Sequence, residues 1–229
     1  MKWSPVAIGI ASVAVVCSPV GAQQPVAGRI GEIRTAASEL AGRQTELDNS
    51  LHQRAVAMGG KLIEARDADS ADLAGDLPSL AMRSDEVLLV HSLITYGGVS
   101  ATGDSVQTQY DVQVLRSWKG THKAGDVVRV SVLAGGLLFP DGTQAAMRVN
   151  GFSRLRDGGR YVLFLHSAPE EGQSTPNFLL VGGGVQGAFL LNDEKVLPVY
   201  QKGDLAKAYD KQDVPKFLAE LDALIPGQR

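Results

Sequence analysis

The spacing of apolar positions divides the chain into stretches with different periods. In residues 26–66, Ile30, Ile33, Ala37, Leu40, Leu47 and Leu51 recur at helical steps within an Ala-, Glu-, Arg- and Gln-rich segment, which predicts a helix with one apolar stripe. Gln44 and Arg54 fall on the same seam and Gly42 lies inside it, so a long self-sufficient coiled coil is not expected. A helix packed on its own domain and a helical arm that binds a partner both stay open. Residues 67–83 carry Asp67, Asp69, Ser70, Asp72, Gly75, Asp76 and Pro78, the composition of a linker.

From Asp85 onward the period falls to two and β-branched residues accumulate. Glu86 to Tyr96, Thr108 to Trp118, Val127 to Leu133, Tyr161 to His166, Phe178 to Val181, Ala188 to Leu191 and Val196 to Tyr200 read as strands, separated by Gly-, Asp- and Asn-rich turns. Without helical crossovers the strands must be mostly antiparallel, and short strands with close turns predict a barrel or a sandwich. Val128, Val130 and Val132 form an inward row. Tyr161, Leu163 and Leu165 alternate with Val162 and Phe164, so this strand is apolar on both faces and is expected at the centre. A short C-terminal helix follows, with Asp213 as its N-cap, Pro215 in its first turn and Phe217, Leu218, Leu221 and Leu224 on its apolar face. It is expected to cover an open end or edge of the sheet.

The first 22 residues have the layout of a cleavable signal peptide. Lys2 makes a small basic start, Val6 to Val16 a short apolar run, and Val20-Gly21-Ala22 a small-residue cleavage position. The run is far short of the roughly 20 residues a membrane-spanning helix needs. The organisation read from the chain is therefore a signal peptide at 1–22, a helical arm at 23–66, a linker at 67–83 and a β domain with a C-terminal helix at 84–229. The expected working form starts at Gln23, is periplasmic or extracellular, and has no stable membrane span. Cys17, the only cysteine, opens a second reading in which it is lipidated, but Val16 is bulky for that cut. Cleavage after Ala22 removes the thiol, and with it disulfides and thiol catalysis.

Composition narrows the partners. With 22 basic and 25 acidic residues the formal charge is −3, and the densest basic stretch, Arg148, Arg154, Arg156 and Arg160, is interrupted by Asp157. That is no footprint for nucleic acid. Gly182, Gly184 and Gly187 match a dinucleotide-binding spacing, yet Ala188 to Leu191 reads as a strand where that motif needs a helix, so they read as turn glycines. Ser100 and Ser153 lack the closing glycine of a nucleophile elbow. The acidic run after Asp67 lacks the Glu that closes a calcium loop. His52, His91, His122 and His166 stand far apart, without metal-ligand spacing. No catalytic residue, metal or cofactor is assigned.

Ser84-Asp85-Glu86-Val87, Tyr110 to Leu115 leading to Trp118-Lys119-Gly120, Gly125-Asp126-Val127-Val128, Gly158 to Leu165 and Gly182 to Gly187 occur in an order that resembles uncharacterised secreted bacterial β-domains. These in turn resemble the netrin-like and metalloproteinase-inhibitor-like OB barrel. The resemblance implies an antiparallel OB-like barrel over about residues 84–200. Inhibitors of that type use an amino-terminal cysteine, which a chain starting at Gln23 lacks, so their mechanism is not carried over.

The preferred function is an exported non-enzymatic binding or interaction module with a protein partner in the envelope or outside the cell. Its expected contact surface is the glycine loop, Gly182, Gly183, Gly184, Gln186 and Gly187, with Leu137, Leu138 and Phe139 in the loop from Gly135 to Thr143. The alternatives are a hydrolase whose site forms only on folding, from His91, His166 and a loop acid, and a structural envelope protein assembled through residues 26–66.

Overall fold

Glycines and turn residues cut the β region into the predicted strands, and two further short strands appear between them. The computed structural model describes residues 50–100, 102–168, 177–182 and 184–226, all within one compact unit, Ala37–Arg229. The signal peptide and residues 23–49 of the predicted arm lie outside the described residues. The strands are β1 Lys61–Arg66, β2 Glu86–Val99, β3 Val106–Lys119, β4 Val127–Val132, β5 Gly135–Leu138, β6 Gln144–Val149, β7 Arg160–Ser167, β8 Asn177–Leu180, β9 Ala188–Asn192 and β10 Lys195–Pro198. The helices are α1 Ser50–Ala57, α2 Leu77–Arg83, α3 Gly203–Tyr209 and α4 Val214–Leu224.

The protein is mainly β. A seven-stranded sheet runs in the order β10, β9, β7, β2, β3, β4, β8, and β7 also pairs with β8, so the pairing that leaves β7 through β2 returns to it. All of these ladders are antiparallel except β4 with β8. A smaller sheet, β1, β6, β5, joins β1 in parallel to β6.

As its pattern predicts, β7 is central and apolar on both faces. Tyr161, Leu163 and Leu165 enter one core with Tyr110, Val112, Val128, Val130 and Val132. Val162 and Phe164 enter a second core with Trp118, Phe189, Phe217 and Leu221. The C-terminal helix thus lies on a sheet face rather than over an end or an edge, because Phe217 stacks at 5.2 Å on Phe189, which β9 presents there. Asp213 sits at the N-cap position of α4 without bonding the helix; its carboxylate accepts instead from Lys195 of β10 at 2.6 Å. Asp222 fastens the helix, accepting from Trp118 Nε1 at 2.6 Å and from Arg116.

Three local readings need correction. The described part of the predicted arm is helical only over α1. Gly59 and Gly60 then take φ of 79° and 89°, values that favour glycine and end a helix, and the chain continues as β1. The acidic stretch at 67–83 contains α2, capped by Asp76, which accepts from Ser79 N at 2.8 Å, with Pro78 in the first turn; cap chemistry had the look of a linker. The presumed loop after Gly135 is largely the β5–β6 hairpin. Phe139 is buried there with Leu51 and Ala55, and Leu137 packs against the same cluster. Leu138, 65% exposed, faces solvent.

Candidate functional site

Strands β8 and β9 share one side of β7, and the loop between them builds the site. Val181 N donates to Phe164 O at 3.0 Å, and Phe164 N donates to Gly187 O at 2.7 Å, so both ends of the loop are stitched to the same residue of β7. A Cβ on Gly187 would lie 2.3 Å from Phe164 O, which is why a glycine is needed there. Gly182 has φ of 75°, and a Cβ on it would meet the Gln186 side chain at 2.5 Å. That space lets Gln186 fold back into the interior. Its amide mimics a backbone partner, accepting from Ala74 N at 2.7 Å and donating to Ala74 O at 3.0 Å.

Gln186 therefore ties the loop to the segment that leads into α2. Beside this tie lies a cleft of about 460 Å³ lined by Arg66, Asp72, Arg83, His166, Gly182 and Gly184, with Leu133, Leu179 and Val181. Arg66 ends β1 and donates to Leu133 O at 3.3 Å; Arg83 ends α2 and donates to Asp72 O at 3.0 Å. Both acceptors are neutral carbonyls. Among the described residues neither guanidinium has a carboxylate within 4.0 Å. His166 enters from β7 opposite Leu179 of β8. The cleft can hold an acceptor-rich group on planar guanidinium donors, over an apolar lining.

Of the residues expected at a contact surface, Gly182 and Gly184 line this cleft. Gln186 and Gly187 are buried and shape it, Gly183 lies outside the described residues, and Leu137, Leu138 and Phe139 belong to the β5–β6 hairpin. His91 and His166 do not converge: His91 pairs with Arg160, and His166 lies six residues further along β7, about 20 Å at strand rise. Arg66 and Arg83 carried no sequence signal, since each fell in a stretch read as helix or linker, and Asp72 was noted only as one of the acids of that linker.

Two other polar clusters lie outside this cleft. Asp111 and Arg129 are opposed on β3 and β4. Arg129 Nε donates to Asp111 Oδ1 at 2.9 Å and Nη2 to Oδ2 at 3.2 Å, and the Tyr96 hydroxyl donates to the same carboxylate. Burial, and then the bond to Asp111, raises the Tyr96 phenol above its ordinary pKa. At the β3–β4 turn, buried Glu86 accepts through Oε1 from Thr121 N at 2.8 Å. His122 Nδ1 lies 3.1 Å from the same oxygen but outside hydrogen-bonding geometry, and among the described residues Glu86 Oε2 has no hydrogen-bond partner.

Among the described residues, no three His, Cys, Asp or Glu side chains gather as a metal site, and no helix is long and apolar enough to cross a membrane. No protein-family model matches the chain, and no curated protein matches it.

Proposed function

We propose that this chain is an exported binding module built on a five-stranded OB-like barrel, and that it takes its ligand in the cleft beside the glycine loop. The three-part layout of residues 1–22 supports export. The pairing that runs β7, β2, β3, β4, β8 and back to β7, with β4 and β8 parallel, supports a closed barrel; β9 and β10 then extend from β7 as a flap carrying α3 and α4.

The observation that carries the binding role is the convergence of Arg66 and Arg83 on one cleft, each held by a carbonyl and neither, among the described residues, neutralised by a carboxylate. A charge that no described carboxylate compensates, in a chain of net charge −3, adds nothing to an ion-paired fold, and it suits recognition. Amide NMR spectra of the mature protein, with and without extract of the compartment it is exported to, test this reading. Shifts clustered on the backbone amides of Arg66, Arg83, His166, Gly182 and Gly184 are expected; shifts confined to other faces, or none, overturn it. Mass spectrometry of the exported chain tests the address: a start at Gln23 is expected, and a lipidated Cys17 overturns the soluble form.

A further inference from the structure

We infer that the ligand of this cleft is a small organic acid, whose anionic headgroup is shared by Arg66 and Arg83 while a short apolar body lies against Leu133, Leu179 and Val181. The inference rests on the preceding proposal that the cleft is the binding site. Three features of the cleft select this class.

The first is charge. Among the described residues the lining holds two arginines, Arg66 and Arg83, with His166 and one acid, Asp72, so cations outnumber acids there although the chain as a whole is net negative. Guanidinium donors match the paired oxygens of a carboxylate or a phosphate ester, and such charge-assisted bonds are about twice as strong as neutral ones. The two arginines arrive from independent elements, the end of β1 and the end of α2, and each is anchored by one N–H on a backbone carbonyl. Among the described residues their remaining N–H groups have no protein acceptor, so the donors are placed before the ligand arrives and less rotamer freedom is lost on binding.

The second is the lining. Leu133, Leu179 and Val181 contribute apolar surface beside the cationic rim, which an inorganic anion would leave uncovered and an aliphatic chain would bury. The third is size. A volume of about 460 Å³ falls at the small end of the range for small-molecule sites, about 300–1,000 Å³. Asp72, an exposed residue of the lining, adds selectivity, because a ligand bearing a second anionic group would meet its like charge.

The test is a calorimetric and NMR titration of the mature chain with hexanoate, hexyl phosphate, 1-hexanol and inorganic phosphate. Both hexyl acids are expected to bind and to move the amides of Gly182, Gly184 and His166. Hexanol and inorganic phosphate should each bind at least about tenfold more weakly, since each lacks one half of the recognition. Whichever hexyl acid binds more tightly identifies the headgroup as carboxylate or phosphate. The Arg66→Gln/Arg83→Gln double variant, with its fold verified by circular dichroism, should lose both acids while its residual binding of hexanol is unchanged. Equal affinity for hexanol and hexanoate, wild-type acid binding by the double variant, or no binding of either acid overturns the inference. If the acids fail while the exported-compartment extract still moves the cleft amides, the ligand class is wrong and the binding site stands; if both fail, both readings fall.

Discussion

Arg129 and the pair Arg66 and Arg83 carry the same charge into opposite settings. Arg129 is largely buried, makes two bonds to the buried Asp111 and lies 5.7 Å from the Tyr96 ring centroid. Arg66 and Arg83 are exposed, line a cleft and rest on carbonyl oxygens. A guanidinium whose charge is answered inside the protein serves the fold, whereas Arg66 and Arg83, with no carboxylate partner among the described residues, keep donors open at the cleft. The contrast follows from desolvation: a buried charge must be paired to be tolerated, while an exposed one keeps its water until a ligand replaces it.

The largest effect is expected at the buried pair. Asp111→Ala leaves Arg129 buried and uncompensated and should lower the unfolding free energy by about 3–5 kcal/mol in urea titrations. Replacing both partners, as Asp111→Leu/Arg129→Met, should recover most of that loss, because well-packed apolar residues carry no desolvation penalty. A loss below about 1 kcal/mol in the single variant would place the pair with ordinary surface salt bridges and erase the contrast.

Gln186 links the two kinds of region, being a buried polar group that shapes an exposed site. Gln186→Ala strands the N–H and C=O of Ala74, itself buried, and should cost about 2–3 kcal/mol of stability. It should also weaken hexanoate binding, because the segment leading to Asp72 and Arg83 loses its tie. Stability loss with unchanged affinity would show that α2 needs no such anchor.

Tyr96 gives the buried cluster a pH signature. Folding raises its phenol pKa, so its contribution is complete below the unfolded value near about pH 10 and is lost as pH rises through the higher folded value. Unfolding free energy should therefore fall between about pH 9 and 11 more steeply in the wild type than in Tyr96→Phe. At neutral pH that variant should cost about 1–2 kcal/mol. Parallel slopes would detach the phenol from the Asp111 pair.

The smallest stability effect is expected where the binding effect is largest. Arg66→Ala and Arg83→Ala should each change unfolding free energy by no more than about 0.5 kcal/mol. Acid binding to the wild type should weaken as salt is raised from low ionic strength, because solvent ions screen an exposed site more than a buried pair. A destabilisation comparable to that of Asp111→Ala would make the cleft arginines structural.

Alternation of apolar residues was enough to read β2, β3, β4, β7, β8, β9 and β10 and the inward rows Val128-Val130-Val132 and Tyr161-Leu163-Leu165, because a strand with a buried face must repeat every two residues. It failed where that constraint is weak. In β1, Leu62 is buried while Ile63 is half exposed, and a six-residue strand after a helical stretch carries too little pattern to announce itself. Strand β5 begins with two glycines, and α2 hides among cap residues that equally punctuate a loop. The site was less legible: the glycine loop was recognised as a surface of interest, yet of the residues named for a contact surface only Gly182 and Gly184 line the cleft, and His166 reaches it after being named for a different role.

Local pattern thus decided the strands, the central place of β7 and the need for glycine between β8 and β9, since each follows from side-chain period and backbone conformation within a few residues. Only the tertiary structure decided that Arg66, Asp72, Arg83 and His166 share one cleft and that Asp111 and Arg129 do not join them. Strand register and the pinning of Ala74 by Gln186 bring together residues as far as 112 positions apart, and no short-range pattern encodes which distant charges will meet one another across the fold.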